Sequence, residues 1–251
     1  MSNVEFSQPG SNLESKGTSM LIYGEPGVGK TSLLKTLLGW TAEGGWGSQK
    51  PICDPREVLN INVECGSSVL EKDGKFCCTT FFVNDTLDKF TDMIAYLKEG
   101  KHQFKYIFVD NVTELERFIL LSLMRQRNLM SPRQKDWGDT SMYLRKYFRE
   151  LRDLVFLGSN IFFIFWPMQL EQKDGTGEIG TSIVCPMVMR STWREYDGLV
   201  EHTAYMGISH KSGERFLQFE SRGLYVAKKR SDKIAVFEKA NLADIFTKLR
   251  G

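Results

Sequence analysis

Gly24-Glu25-Pro26-Gly27-Val28-Gly29-Lys30-Thr31 fits GxxxxGK[ST] without a gap, and Ser32 follows. Glycines at this spacing let successive backbone N–H groups turn inward around phosphate oxygens. Lys30 is placed to reach the β- and γ-phosphates, and the Thr31 hydroxyl to hold Mg²⁺. Gly24 through Ser32 are therefore the expected nucleotide-binding residues. The bland alternative is an ordinary turn between a strand and a helix.

Other chemistry must converge on that loop. Tyr106-Ile107-Phe108-Val109-Asp110 is an apolar run ending in an acid. A buried strand that carries Asp110 at its tip would deliver a second oxygen ligand for Mg²⁺. Asp110 also precedes a predicted helix, so a capping role competes with or joins the metal role. Asn111 follows it, so the acid that handles the attacking water must come from elsewhere. Glu64, after the run Leu59–Val63, is the candidate; its alternative is a solvated strand end. Glu114 is a weaker candidate. Gln169, just beyond the run Asn160–Trp166, is placed to sense the γ-phosphate, with an exposed loop glutamine as the alternative. Lys228-Lys229-Arg230 is a short basic run whose cations could meet the phosphates of a neighbouring subunit's nucleotide. Solvated surface is the commoner fate of such a run. The same choice holds for Arg125, Arg127, Arg133 and Lys135 near Trp137, which could track a single strand. Arg145, Lys146, Arg149 and Arg152 read as a solvated helix face. His102, His202 and His210 are isolated, and Met187 and Met189 read as packing residues.

The elements that position these groups follow from periodicity. Ser19–Tyr23, Val58–Val63, Phe76–Val83, Phe104–Val109 and Asn160–Trp166 read as strands, mostly as near-continuous apolar runs. Helices are expected from Lys30 to about Gly39, through Leu87–Leu97 and through Leu115–Leu123. A long amphipathic helix carries Leu144, Tyr147, Phe148, Leu151, Leu154 and Val155. Arg125–Trp137 reads as a basic, polar stretch before it. Leu170–Ser182 is polar and glycine-containing, so it is expected to be a mobile segment or a hairpin tip at Asp174-Gly175. Beyond Val200 the pattern turns to alternation, with strands at Thr203–Ile208, Arg215–Glu220 and Leu224–Lys228, and a helix over Asn241–Leu249. Strands alternating with helices predict an α/β, three-layer sandwich with a mostly parallel sheet, extended at one edge by the β-rich C-terminal part. Residues 1–17 read as a flexible arm and 18–251 as a single domain.

Composition excludes several classes. The chain has 251 residues, 41% hydrophobic and 25% charged, with a net charge of +2. That is too apolar for a disordered chain and too balanced for a polybasic nucleic-acid coat. No apolar run approaches the ~18 residues of a membrane-spanning helix, and the first residues lack a secretory signal. Five cysteines, without CxxC or a nearby histidine, point to reduced thiols in the cytoplasm and against a structural zinc.

The chain resembles the phage-encoded P-loop nucleotide-binding proteins of the RecA-like ATPase group, including single-domain phage recombination ATPases. SMLIYGEPGVGKTSLLKTL carries the resemblance. So do the strand leading into Glu64-Cys65-Gly66, the segment YIFVDNVTEL, and Asp136-Trp137-Gly138 ahead of a long helix. The last element is the terminal strand leading to Lys228-Lys229-Arg230. The resemblance implies a RecA-like core that binds ATP with Mg²⁺. It also implies a homo-oligomer with nucleotide at subunit interfaces and a host-cytoplasmic location. Lys228 and Arg230 match the spacing of a basic pair that acts across such interfaces. Action on single-stranded DNA in recombination or annealing is the implied function. Three positions depart from the pattern: Asn62 on the strand before Glu64, Trp166-Pro167 where a histidine is frequent, and Asn111 where many AAA+ ATPases have Glu. These departures keep open a non-catalytic nucleotide switch that recruits a protein partner. A small-molecule kinase is a third class, but Arg125–Arg133 only faintly imitates an Arg-rich lid. No Asn/Thr-Lys-x-Asp motif for guanine is present.

Overall fold

A computed structural model describes residues 17–64, 77–81, 84–173, 179–189 and 192–250. The expected arm over 1–17 lies outside these residues except for Gly17, as do Cys65, Gly66 and the Asp174-Gly175 turn.

Five segments build the parallel centre of the sheet: β1 (Ser19–Tyr23), β4 (Val58–Asn62), β5 (Cys77–Thr80), β6 (Tyr106–Asp110) and β7 (Asn160–Phe165). They are joined by β10 (His202–Ile208), β11 (Arg215–Gln218) and β12 (Phe237–Lys239). The strand order is β12-β11-β10-β1-β7-β6-β4-β5. Pairing is parallel from β10 through β5 and antiparallel at the β10-β11-β12 edge. This is the expected α/β sandwich with its β-rich edge, and β7 lies between the loop-bearing β1 and β6.

Both faces of the central strands are covered, which is why their sequences run apolar rather than alternating. Leu21, Tyr23, Ile107, Val109, Phe163 and Phe165 face one core with residues of α2 (Leu87–Lys98), α3 (Val112–Gln126), α4 (Gln134–Arg152) and α5 (Trp193–Leu199). Met20, Ile22, Phe108, Phe162 and Ile164 face the other, with α1 (Leu33–Thr36) and α6 (Leu242–Arg250). Phe162, Phe163 and Phe165 are fully buried, and burial of such a ring is worth about 1.5–3 kcal/mol. Phe148 of α4 stacks on Phe163 with centroids 3.8 Å apart, which pins the long helix over the sheet.

Several expected elements differ. The helix after the phosphate loop is α-helical only over Leu33–Thr36. Around it, amides reach three residues back, from Lys35 to Ser32, Leu37 to Leu34, Leu38 to Lys35 and Gly39 to Thr36, so the turns are tighter than α. Asp136, Trp137 and Gly138 lie inside α4, which begins at Gln134, because the Asp136 carboxylate accepts the Arg133 backbone amide at 2.8 Å and so satisfies a free donor at the helix start. The segment after β7 is a paired hairpin, β8 (Pro167–Lys173) against β9 (Ile179–Pro186). The expected strand Leu224–Lys228 is not one. Val226 bonds Val184 of β9 and Lys228 bonds Thr203 of β10, so the segment changes partner within a few residues and no ladder can extend. The glycine-rich stretch 41–50 contributes all but Trp40 of a small hairpin, β2 (Trp40–Thr41) with β3 (Gly45–Trp46).

Candidate nucleotide site

Gly24 to Ser32 follows β1 at the C-terminal end of the sheet. Gly24 must lack a side chain, since a Cβ there would lie 2.4 Å from the Met206 carbonyl oxygen of β10. Gly27 and Gly29 have φ of +79° and +103°, which bulkier residues rarely adopt. Glu25, Pro26 and Gly27 form the exposed crest, while Val28 and Lys30 are buried. The Lys30 ammonium donates to the carbonyls of Gly24 (2.6 Å) and Glu25 (2.9 Å). Burial lowers its pKa, opposed by the negative charges of Asp110, Glu64 and Glu25.

Strand register brings the acids to the same edge. Asn62 pairs with Asp110 across β4 and β6, and the Val63 amide donates to the Asp110 carbonyl. The Thr31 hydroxyl donates to the Asp110 carboxylate at 2.6 Å. Asp110 is buried, and desolvation pushes its pKa up to about 6, against the Thr31 hydrogen bond and the Lys30 charge, with Glu64 adding to the rise. The pairing fits Mg²⁺, which keeps waters and takes one or two protein oxygens plus phosphate rather than a full protein cage. Among the described residues no cluster of three His, Cys, Asp or Glu side chains could form such a cage.

Asn111 was legible only as a missing acid, yet it organises the site. Its side-chain oxygen Oδ1 accepts the Glu114 backbone amide at 2.8 Å, capping α3. Its NH₂ donates to the Glu64 carboxylate. The helix cap is therefore Asn111, and Asp110, the alternative capping residue, stays with Thr31. Glu64 stands exposed beside the loop, held by Asn111 at the tip of β4. Glu114 is engaged with Arg117 at 2.6 Å. Asn62, on β4 beside Asp110, is buried with an NH₂ that has no hydrogen-bond partner among the described residues. An alternation pattern gives no signal for such a residue.

Gln169 is exposed on β8, paired with Val184 across the hairpin. That hairpin is tied to the loop-bearing strand. The Tyr23 hydroxyl, one residue before Gly24, donates toward the carbonyls of Val226 (2.7 Å) and Val184 (2.9 Å).

Lys228 and Arg230 do not converge on this chain's phosphate loop. Lys228 pairs with Thr203 near the start of β10, which places it toward the opposite end of the sheet. There Lys228 donates to the Asp197 carbonyl and lies 3.7 Å from its carboxylate. The Arg230 amide donates to His202 Nδ1 (3.3 Å). His202 is buried, which lowers its pKa to about 4, helped by the Lys228 and Arg230 charges against Glu201. The other basic groups are largely paired with acids. Arg127 bonds Asp136 and Asp139, Arg133 bonds Asp136 (3.1 Å), and Arg145 and Arg149 share Glu195 (3.0 and 2.8 Å).

A family model described as "AAA domain" matches residues 16–231. No curated protein matches the chain. Among solved structures the chain is similar to the KaiC-like protein PH0186 from the hyperthermophilic archaeon Pyrococcus horikoshii OT3. That match has a TM-score of 0.43 and 13% identity, over 88% of this chain and 82% of that one. It is similar also to the RadB recombinase, with a TM-score of 0.42 and 15% identity, over 83% of this chain and 84% of that one. The family match spans most of the sequence, so the chain belongs to the AAA domain family.

Proposed function

We propose that this member of the AAA domain family is an Mg²⁺-dependent ATPase that works as a homo-oligomer on single-stranded DNA, in phage recombination or annealing. The observation that carries the hydrolytic part is the pairing of two contacts at one sheet edge: Thr31 with Asp110, and Asn111 with Glu64. Loop amides and Lys30 hold the phosphates, with Lys30 exchanging the Gly24 and Glu25 carbonyls for phosphate oxygens. Thr31 and Asp110 would hold Mg²⁺, which when bound neutralises phosphate charge. Glu64, oriented by Asn111, takes a proton from the attacking water as its oxygen bonds the γ-phosphorus and the bond to the ADP oxygen breaks.

The DNA and oligomer parts rest on the resemblance and on placement. Lys228 and Arg230 lie away from their own loop, where they serve only a neighbour's nucleotide. Tyr23 links the loop strand to the β8–β9 hairpin, a route by which nucleotide state reaches a surface that grips DNA.

Mg-ATP hydrolysis across a protein concentration series, with and without single-stranded DNA and beside Lys30→Ala, tests this reading. Specific activity that rises with concentration and with DNA, and is lost in the variant, is the expected result. Tight ATP binding with no turnover under any condition would replace the reading with a nucleotide switch.

A further inference from the structure

A cavity of about 300 Å³ opens where the phosphate loop ends, lined by Gly29 and Ser32 on one side. Ligand cavities start at about this size. Trp40 and Ala42 of the small hairpin form another wall, and Arg215 and Lys239 of the β-rich edge close the third.

Its lining is built for a flat, polar-edged ligand. Arg215 Nε donates to the Val28 carbonyl at 2.8 Å, which seats the guanidinium on the loop itself. A Cβ at Gly29 would lie 3.1 Å from that nitrogen, so only glycine leaves Arg215 this position without displacement. The Trp40 ring is fixed by the Lys35 ammonium, 5.7 Å from its centroid and 5.9 Å from that of Trp46. Indole and guanidinium are planar groups on which bases stack. Ser32 makes no capping hydrogen bond, so its hydroxyl is not committed to the helix start. Deeper polar groups are spent. The Thr36 hydroxyl donates to Leu33 O (2.6 Å) and accepts from the Leu242 amide (3.0 Å), while Asn241 pairs with Gln49 (2.7 Å).

We propose that this cavity is the nucleoside site: base and ribose of the nucleotide lie between Trp40 and Arg215, with Ser32 at the junction to the phosphates. The inference rests on the proposed phosphate-binding role of the loop and adds where the rest of the ligand goes. It gives the β-rich edge a function, since Arg215 and Lys239 come from its two outer strands. A larger cavity of about 530 Å³, lined by Lys105, His202, Arg230 and Arg250, lies at the other end of the sheet and shares no residue with the loop.

Calorimetric titration of the full chain with ATP and with inorganic tripolyphosphate, each with Mg²⁺, tests the proposal. Wild type should bind ATP at least about tenfold more tightly than tripolyphosphate, because stacking and apolar burial add to the phosphate contacts. Ala42→Trp, at an exposed position, fills the cavity and should erase that gap by weakening ATP alone. Lys239→Ala, which opens the wall without touching the loop, should narrow the gap. Equal affinities in wild type, a gap unchanged in both variants, or equal weakening of both ligands would overturn the nucleoside site. Failure of wild type to bind either ligand would instead remove the phosphate loop's proposed role, and the inference with it.

Discussion

Both ends of the central sheet carry charged groups, and they use them differently. At the C-terminal end, Lys30, Thr31, Asp110, Asn111 and Glu64 arrive from β1, β6 and β4 and bond to one another or to the loop. At the N-terminal end, Lys228 is tied to Asp197, Lys105 to Glu57, and Arg250 to the Tyr106 hydroxyl at 2.7 Å. One end is a convergent constellation around a glycine loop; the other is a set of separate local pairs. Parallel topology explains the difference. Loops that leave the C-terminal tips of neighbouring strands meet in one crevice. A net charge near zero cannot distinguish the two ends, because it is blind to convergence.

The largest test of that contrast is a pair of charge removals. Lys30→Ala should lower Mg-ATP affinity and turnover by about 100-fold or more, since it strips the loop's buried cation. Lys228→Ala should leave ATP affinity of the dilute chain unchanged, and should depress turnover only at concentrations where subunits assemble. A loss of affinity in Lys228→Ala equal to that in Lys30→Ala would erase the distinction.

Titration should also set the ends against each other. The folded pKa of His202 is depressed to about 4 from 6.5, so the stability that comes from its neutrality is complete above pH 6.5 and lost as pH falls toward 4. Asp110 is raised to about 6 from 3.8, so without ligand it costs stability as pH rises from 3.8 through 6. Each shift is worth about 3 kcal/mol, and the two slopes oppose. Denaturant unfolding of the apo chain should therefore show a shallow profile between pH 4 and 6.5. His202→Gln should expose a decline with rising pH, and Asp110→Asn a rise. Parallel profiles in the two variants would show that the groups titrate normally.

Asn111→Ala should cost about 1–2 kcal/mol for the lost cap of α3. It should also lower turnover more than ATP affinity, because Glu64 loses its donor. A change in stability with unchanged turnover would reduce Asn111 to a cap. The smallest effect is expected for Asp197→Asn, about 1 kcal/mol or less, because Lys228 keeps its bond to the Asp197 backbone carbonyl and loses only a carboxylate 3.7 Å away.

The sequence made some of this visible. β1 and β7 were legible because burial on both faces leaves nearly uninterrupted apolar runs, and the loop because its glycine spacing is a backbone requirement. The position of Glu64 followed from reading a strand that ends beside Asp110. Asn111 was not legible as a participant, since its role depends on two strands being neighbours. The 224–228 segment looked like a strand by alternation, but alternation does not reveal that its partner changes from β9 to β10. Lys228 and Arg230 were legible as a basic pair, while their place at the far end of the sheet depends on the register of Lys228 with Thr203.

The convergent end is probed most directly by Glu64→Gln, which keeps the size of the side chain and removes its charge. Mg-ATP binding and single-turnover hydrolysis should be measured on the same preparation. Binding within about twofold of wild type, with hydrolysis lowered by about 100-fold or more, is the result expected if Glu64 takes the proton of the attacking water. Hydrolysis at the wild-type rate would show that the carboxylate held by Asn111 takes no part in the chemistry.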